Sequence, residues 1–275
     1  MSSSSTSVQA TLRHARTIRR AAVVTHGRPE TIGDALARLE GVAREAGVEL
    51  MGTDSAGADV VIVLGGDGTM LRALRASLER PAPVFGVNFG RVGFLTSLPG
   101  EELESGLRRV FAGDLRVVDL STMAARVRGE RHVAVNDIVV TSSIPGRMIE
   151  LGWAIGAEDL GRMPCDGMIC ATPTGSTAYN LSNGGPVMVW GLDAMALSFV
   201  APHALDTRPL VVPRSLELRI ANRTLDVEAT LLVDGHPVGT LGAGDSAEIG
   251  LAAERCLLGL LPEVTFFRRY HDVFV

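Results

Sequence analysis

From Ala58 to Leu78 the chain reads ADVVIVLGGDGTMLRALRASL: an apolar, β-branched run, a cluster of glycines, then Met70, Leu71, Leu74 and Leu78 spaced along one side of a helix. The run is too short for a typical helix and suits a strand buried on both faces, so the segment predicts strand, glycine turn and helix. Comparable units flank it. Ala21–His26 predicts a strand, and Thr31–Ala46 an amphipathic helix with Ile32, Leu36, Leu39 and Ala43 on its inward face. Pro83–Asn88 predicts a further strand, with a helix near Glu101–Phe111. Such alternation predicts a mostly parallel sheet covered by helices.

Beyond about Leu115 the period changes. β-rich or alternating runs occur at Leu115–Val127, His132–Thr141, Met148–Ile155, Met168–Thr172, Ala194–Ala201, Leu216–Ala221, Leu225–Val233 and Ala247–Leu251. The clearest, Leu216-Glu217-Leu218-Arg219-Ile220, suits a strand with one wet face. The expected fold class is therefore an α/β, Rossmann-like N-terminal domain over residues 21–117, followed by a mainly antiparallel β-sandwich over residues 118–275. The extreme C-terminus of the second domain is free to return to the first. Residues 1–20 hold many Ser and Arg and no acid, and they read as a flexible tail with some likeness to a transit peptide.

Composition narrows the class. With 275 residues, 46% hydrophobic and 21% charged, the chain has the make-up of a globular protein, and no apolar stretch approaches membrane-spanning length. A net charge of -5 argues against general nucleic-acid binding. All 26 basic residues are arginine, which excludes a phosphate-loop lysine and a Schiff base; phosphate contacts must come from arginine, backbone N–H groups, hydroxyls or a metal. Cys165, Cys170 and Cys256 form no disulfide framework or zinc spacing, and fit a reducing, cytoplasmic compartment. The six histidines include no paired metal-ligand motif.

The turn Gly65-Gly66-Asp67-Gly68-Thr69 places free N–H groups and a helix start at the carboxyl edge of a sheet, where phosphate-bearing ligands bind. Asp67 puts a carboxylate there, which would repel a phosphate unless a cation or a transferable proton lay between them. It is a candidate to accept a proton from a hydroxyl being phosphorylated, or to hold a metal ion on the phosphates; a structural turn would also use Asp and Gly. The loop Phe89-Gly90-Arg91-Val92-Gly93-Phe94 is expected at the same edge, with Phe94 either stacking on a base or buried in the core. In the second domain, Asn136-Asp137 is a polar pair inside an apolar run, suited to ribose hydroxyls or to a bulge. Cys165–Pro186, CDGMICATPTGSTAYNLSNGGP, carries four glycines, three threonines, two serines and a tyrosine beside a buried-type strand and reads as a polar ligand cradle. His203 reads as a core histidine, and Val233-Asp234-Gly235-His236 first as a hairpin turn.

Taken together and in this order, GGDGT at Gly65–Thr69, Asn136-Asp137 and DGMICATPTGSTAYNLSNGGP at Asp166–Pro186 resemble the NAD kinase family. GGDGT alone also resembles diacylglycerol, sphingosine and phosphofructokinase relatives; the long TPTGSTAY stretch discriminates among them. The resemblance implies transfer of the terminal phosphate of ATP, or of polyphosphate, to the adenosine-ribose 2′-hydroxyl of NAD, giving NADP, with Mg2+ or another divalent metal accompanying the donor and no dedicated protein metal site. It also implies a homodimer or homotetramer acting on NAD and ATP, with no nucleic-acid or membrane partner. Asp67 is then the catalytic base. Gly65, Gly66, Asp67, Gly68, Thr69, Phe94, Asn136, Asp137, Asp166, Thr177, Ala178, Tyr179, Asn180, Leu181 and Ser182 line the NAD and ATP sites, and Arg147 and His236 match ligand-lining positions. Asp137 stands where the family uses Glu or Asp. A diacylglycerol-type lipid kinase and a non-catalytic NAD(P)-binding sensor are the alternative functions, distinguished by an apolar substrate entrance and by absence of turnover.

Overall fold

A computed structural model of the chain describes residues 13–14, 17–25, 29–52, 56–90, 93–204 and 206–275. Most of the predicted tail, with His26, Arg91 and Val92, lies outside the described residues. The chain divides into two compact units, residues 1–120 with 256–275, and residues 121–255.

In the first unit the apolar runs form strands β1 (Arg20–Thr25), β2 (Glu49–Met51), β3 (Val60–Leu64) and β4 (Val84–Asn88). They lie in the order β2-β1-β3-β4, all parallel. Helices α1 (Ala35–Ala46), α2 (Asp67–Ala76) and α3 (Leu103–Phe111) fill the connections. Ile62, Leu64, Phe85 and Val87 share a core with Leu39 and Val42 of α1 and Leu107 and Val110 of α3. Alternate residues point the other way, and there Met70 of α2 lies over Gly86, where a Cβ would come within 2.5 Å of its sulfur. α2 is thereby seated directly on the sheet.

One predicted helix is broken. Pro29–Ile32 forms a separate turn, Gly33 interrupts at φ 52°, and α1 restarts at Ala35. Its inward face is Ala35, Leu39, Val42 and Ala43, while Leu36 is exposed.

The chain enters the second unit along β5 (Arg116–Val127), which turns into β6 (Glu130–Ala134). Next come β7 (Asp137–Ser142), β8 (Ile149–Ile155), β9 (Glu158–Cys165), β10 (Gly167–Ala171), β11 (Ala194–Val200), β12 (Leu210–Pro213), β13 (Leu218–Asn222), β14 (Ala229–Val233) and β15 (His236–Leu241). One antiparallel sheet has the order β12-β11-β10-β7-β14-β15. Against it pack β9-β8-β13 and the first residues of β16 (Ser246–Leu260), also antiparallel. Ile138, Met168, Leu197 and Leu231 from one sheet meet Leu151, Ile220 and Ile249 from the other in a single core, which makes the unit a sandwich.

The predicted run His132–Thr141 is two strands, and Ser246–Leu260 is far longer than the predicted Ala247–Leu251. The far end of β16 returns to the first unit, where Leu258 and Gly259 pair in parallel with Val84 and Phe85 of β4. Helix α4 (Phe266–Phe274) follows. Among the described residues no helix is long and apolar enough to cross a membrane.

Candidate functional site

In the first unit, β3 ends at Leu64 and α2 begins at Asp67, so Gly65 and Gly66 turn the chain at the carboxyl edge of the sheet. Gly66 is the residue before the helix, and its carbonyl accepts from the N–H groups of Thr69 and Met70 at 2.9 and 3.1 Å. The N–H groups of Asp67 and Gly68 belong to the first turn and have no intrahelical acceptor. Thr69 is buried, and a Cβ on Gly65 would come within 2.6 Å of its hydroxyl, so the turn is packed closely on this side chain.

Asp67 does not cap its own helix. Its Oδ2 accepts the Phe94 N–H at 2.7 Å and its Oδ1 the Leu95 N–H at 3.1 Å. A Cβ added to Gly93 would stand 2.1 Å from Oδ1, so only glycine lets the loop approach the carboxylate this closely. The ring of Phe94 is unavailable for stacking on a base: it is buried against Phe266, ring centres 5.2 Å apart, and Phe274 at 5.9 Å. What Phe94 brings to the edge is its N–H. Arg269 of α4, only 8% exposed, donates from Nη2 to the Thr96 carbonyl. Burial lowers its pKa, and the charges of Asp272 and Asp67 act in the opposite sense. Arg72, on the turn of α2 after Met70, donates to the Thr25 carbonyl at the end of β1, 2.9 Å away.

The second unit holds the Asn136-Asp137 pair and the threonine-rich loop. Asp234 sits in a two-residue hairpin between β14 and β15, with φ 47° there and 79° at Gly235. Its carboxylate accepts the N–H groups of Val135, Asn136 and Asp137 at 3.0, 2.7 and 3.2 Å. That capture ends β6 and starts β7, which is why the predicted run divides. The loop docks on the same residues. Thr172 Oγ1 donates to the Val135 carbonyl at 2.6 Å, the Thr172 N–H donates to the Asn136 carbonyl at 2.9 Å, and a Cβ on Gly175 would stand 2.1 Å from that carbonyl oxygen.

Two buried polar atoms in this cluster, Asn136 Oδ1 and Thr174 Oγ1, have no partner among the described residues. Buried acceptors and donors left open in this way are ready for a polar ligand. Asp137 is buried, and burial first and the Asp234 charge second push its carboxyl up to about 7. Near neutral pH it both donates and accepts.

Other predicted positions divide by burial. Thr177, Ala178 and Leu181 are half-buried, and Asp166, Tyr179 and Ser182 are exposed around the loop. Asn180 is fully buried: it donates to the Ser176 and Pro186 carbonyls at 3.3 and 3.0 Å and accepts from Ser198 Oγ at 3.3 Å, so its side chain holds the loop's shape. Arg147 pairs with Asp226 at 2.7 Å, and His236 is exposed at the start of β15. His203 is exposed and is not a core histidine. Arg72 and Arg269 were not singled out by sequence reasoning, and Asp234 was read correctly as part of a hairpin turn but not as the carboxylate that captures three N–H groups. For Asp234 a signal existed in the Asp-Gly turn; for Arg269 the sequence held none.

Both halves of the chain match one family. The ATP-NAD kinase N-terminal domain matches residues 17–115, and the ATP-NAD kinase C-terminal domain matches residues 135–256. An NAD kinase of Heliobacterium modesticaldum is 41% identical over 215 residues, 76% of this chain and 76% of that protein. One from Gemmatimonas aurantiaca is 38% identical over 217 residues, covering 77% and 75%. Among solved structures, an NAD kinase from Archaeoglobus fulgidus in complex with ATP superposes with a TM-score of 0.76 at 28% identity, covering 93% of this chain and 97% of that one. Yeast NADH kinase complexed with NADH shares the fold with a TM-score of 0.84 at 20% identity, covering 94% and 87%.

Proposed function

Because the chain belongs to the ATP-NAD kinase family, we propose that Asp67 is the base of its phosphoryl transfer and that the second unit's loop cluster holds the acceptor dinucleotide. The observation that carries this is the fixed carboxylate at the start of α2. Each Asp67 oxygen accepts one loop N–H and keeps lone-pair capacity for another donor. The adenosine-ribose 2′-hydroxyl of NAD is that donor.

The new bond joins the 2′-oxygen to the terminal phosphorus of ATP, the bond from that phosphorus to the bridging oxygen breaks, ADP leaves, and the hydroxyl proton passes to Asp67. The first-turn N–H groups of Asp67 and Gly68 lie at the end of α2 that favours negative phosphate. Asn136 Oδ1, Thr174 Oγ1 and the half-protonated Asp137 suit ribose and amide groups, each able to accept, donate or do both.

Among the described residues no three His, Cys, Asp or Glu side chains stand together. The Asp67 carboxylate is the protein group that would be offered to a divalent metal accompanying the phosphoryl donor. The chemistry such a metal would supply there is neutralisation of charge on the transferring group. We also infer a homodimer or homotetramer, as the family likeness implies, to be read by light scattering, and a reducing compartment, which three free cysteines fit.

The deciding experiment compares the parent with Asp67→Asn in magnesium, crossing NAD or NADH with ATP or polyphosphate. Loss of general-base assistance lowers turnover about 10²–10⁴-fold while NAD binding, measured by calorimetry, stays within a few-fold. Equal turnover by the two proteins refutes the role.

A further inference from the structure

Helix α4 presents Phe266 and, one turn later, Arg269 inward, and these are its two buried residues. Phe266 is ordinary packing against Phe94. Arg269 is not, because a guanidinium is seldom buried to this extent without a full set of acceptors. Its Nη2 donates to the Thr96 carbonyl, and its Nε is buried with no acceptor among the described residues. The nearby charges that offset its burial are Asp272, on its own helix, and Asp67. An arginine serving only to dock the helix would be poorly spent here, since an apolar residue fills an inward position without leaving a donor stranded.

The bonds run in one direction. Arg269 holds the carbonyl of Thr96; Thr96 follows directly on Phe94 and Leu95; and the N–H groups of those two residues hold the carboxylate of Asp67. On the other side the segment is anchored by the Ser97 N–H to the Gly86 carbonyl of β4 at 2.8 Å, and by Ser97 Oγ to the Gly259 carbonyl of β16 at 3.0 Å. Between these sheet anchors and Asp67, the side chain that fixes the peptide at Thr96 comes from α4. The aromatic contacts of Phe94 with Phe266 and Phe274 clamp the same helix over the same segment.

We propose that Arg269 is a positioning residue for the reaction. It fixes the Phe94–Thr96 segment so that its two N–H groups aim the Asp67 carboxylate, and it sets a positive charge within reach of that carboxylate. This rests on the reading of Asp67 as the base. Loss of the guanidinium frees the segment and lets the carboxylate wander from the acceptor hydroxyl, which lowers the rate of the chemical step. Dinucleotide affinity is expected to change little, because Arg269 acts on the acceptor only through the aim of Asp67 and bonds to none of the polar groups around Asn136 and Thr174.

The test is a double-mutant cycle of Arg269→Gln, Asp67→Asn and the combined protein, with NADP formation followed by transfer of labelled phosphate. Arg269→Gln is expected to lower kcat about 10–100-fold, with KM for NAD within about threefold of the parent. Arg269→Lys, which keeps a charge and a donor, recovers part of that loss. In the Asp67→Asn background, Arg269→Gln costs less than about threefold, since there is no base left to aim. If the two losses multiply, or if Arg269→Gln stays within twofold of the parent, the proposal is overturned. An inactive Asp67→Asn beside a fully active Arg269→Gln removes only the positioning role, whereas an active Asp67→Asn removes the reading beneath it. Thermal unfolding is recorded for every variant. Should Arg269→Gln be unfolded at the assay temperature, Arg269→Lys takes its place in the cycle with the same criterion of non-additivity.

Discussion

Replacement of Gly93 by alanine tests the catalytic edge at one atom. The added methyl would sit 2.1 Å from Asp67 Oδ1, 2.6 Å from its Cγ and 3.0 Å from Oδ2. An ordinary carbon–oxygen contact needs more than 3 Å, so the loop and the carboxylate must part by roughly 1 Å. Neither partner yields freely. Rotating Asp67 breaks the bonds at 2.7 and 3.1 Å, and moving the loop carries the Phe94 and Leu95 N–H groups away with it. Hydrogen bonds to a charged group contribute about 1.5–3 kcal/mol each, so distortion of both costs a few kcal/mol, and a base displaced by roughly 1 Å costs on the order of 10²-fold in rate. Gly93→Ala is therefore expected to lower kcat about 10²-fold, with KM for NAD little changed, in an assay of NADP formation at saturating ATP and magnesium. Gly90→Ala is the control in the same loop. Its Cβ meets only Asn88 Oδ1 at 3.9 Å, an ordinary contact, and activity should stay within about twofold. A folded Gly93→Ala protein with the parent's kcat would refute the claim that the closeness of loop and carboxylate matters.

The loop cluster of the second unit gives two more expectations. Asp137 carries a carboxyl held near 7 instead of its ordinary 3.8, so its ionised form opposes folding by up to about 4 kcal/mol. The folded protein holds this proton more tightly than the unfolded chain does, so relative to Asp137→Asn the parent loses stability as pH rises from about 4 to about 7. Asp137→Asn should thus melt several degrees higher at pH 8, equal the parent near pH 4, and bind NAD more weakly; identical melting curves at both pH values would contradict the assignment. Gly175→Ala forces a methyl to within 2.1 Å of the Asn136 carbonyl, a backbone atom that cannot step aside, and should weaken NAD binding at least tenfold in calorimetry while sparing α2 and its turn.

Features set by neighbours in the chain were legible in the sequence. The apolar run before Gly65 and the helical spacing after it foretold β3, the turn and α2, because both depend on local periodicity. The alternation at Leu216–Ile220 did the same for β13. The strand β9 was missed because Glu158–Cys165 has no alternating pattern and exists through its pairing with β8. The break at Val135–Asn136 was hidden because its cause, the Asp234 carboxylate, lies 97 to 99 residues away. Of the two readings open for Phe94, stacking ring or core, the structure has the core one, and the group Phe94 turns to Asp67 is its amide, common to nearly every residue type and so invisible to composition. Arg269 carried no signal, since FFRRYHDVF reads only as an amphipathic helix and the meaning of one arginine in it comes from Thr96, far back in the chain.

The return of β16 to pair beside β4 has a consequence for synthesis. Residues 121–255 are continuous and can close their sandwich while the chain is still emerging from the ribosome, but the parallel sheet that bears Asp67 lacks a strand until Leu258 and Gly259 arrive. The half translated first is thus the half completed last. A nascent chain interrupted before Cys256 would carry a finished second unit and an unsealed first one, with the Val84-Phe85 end of β4 open to other strands.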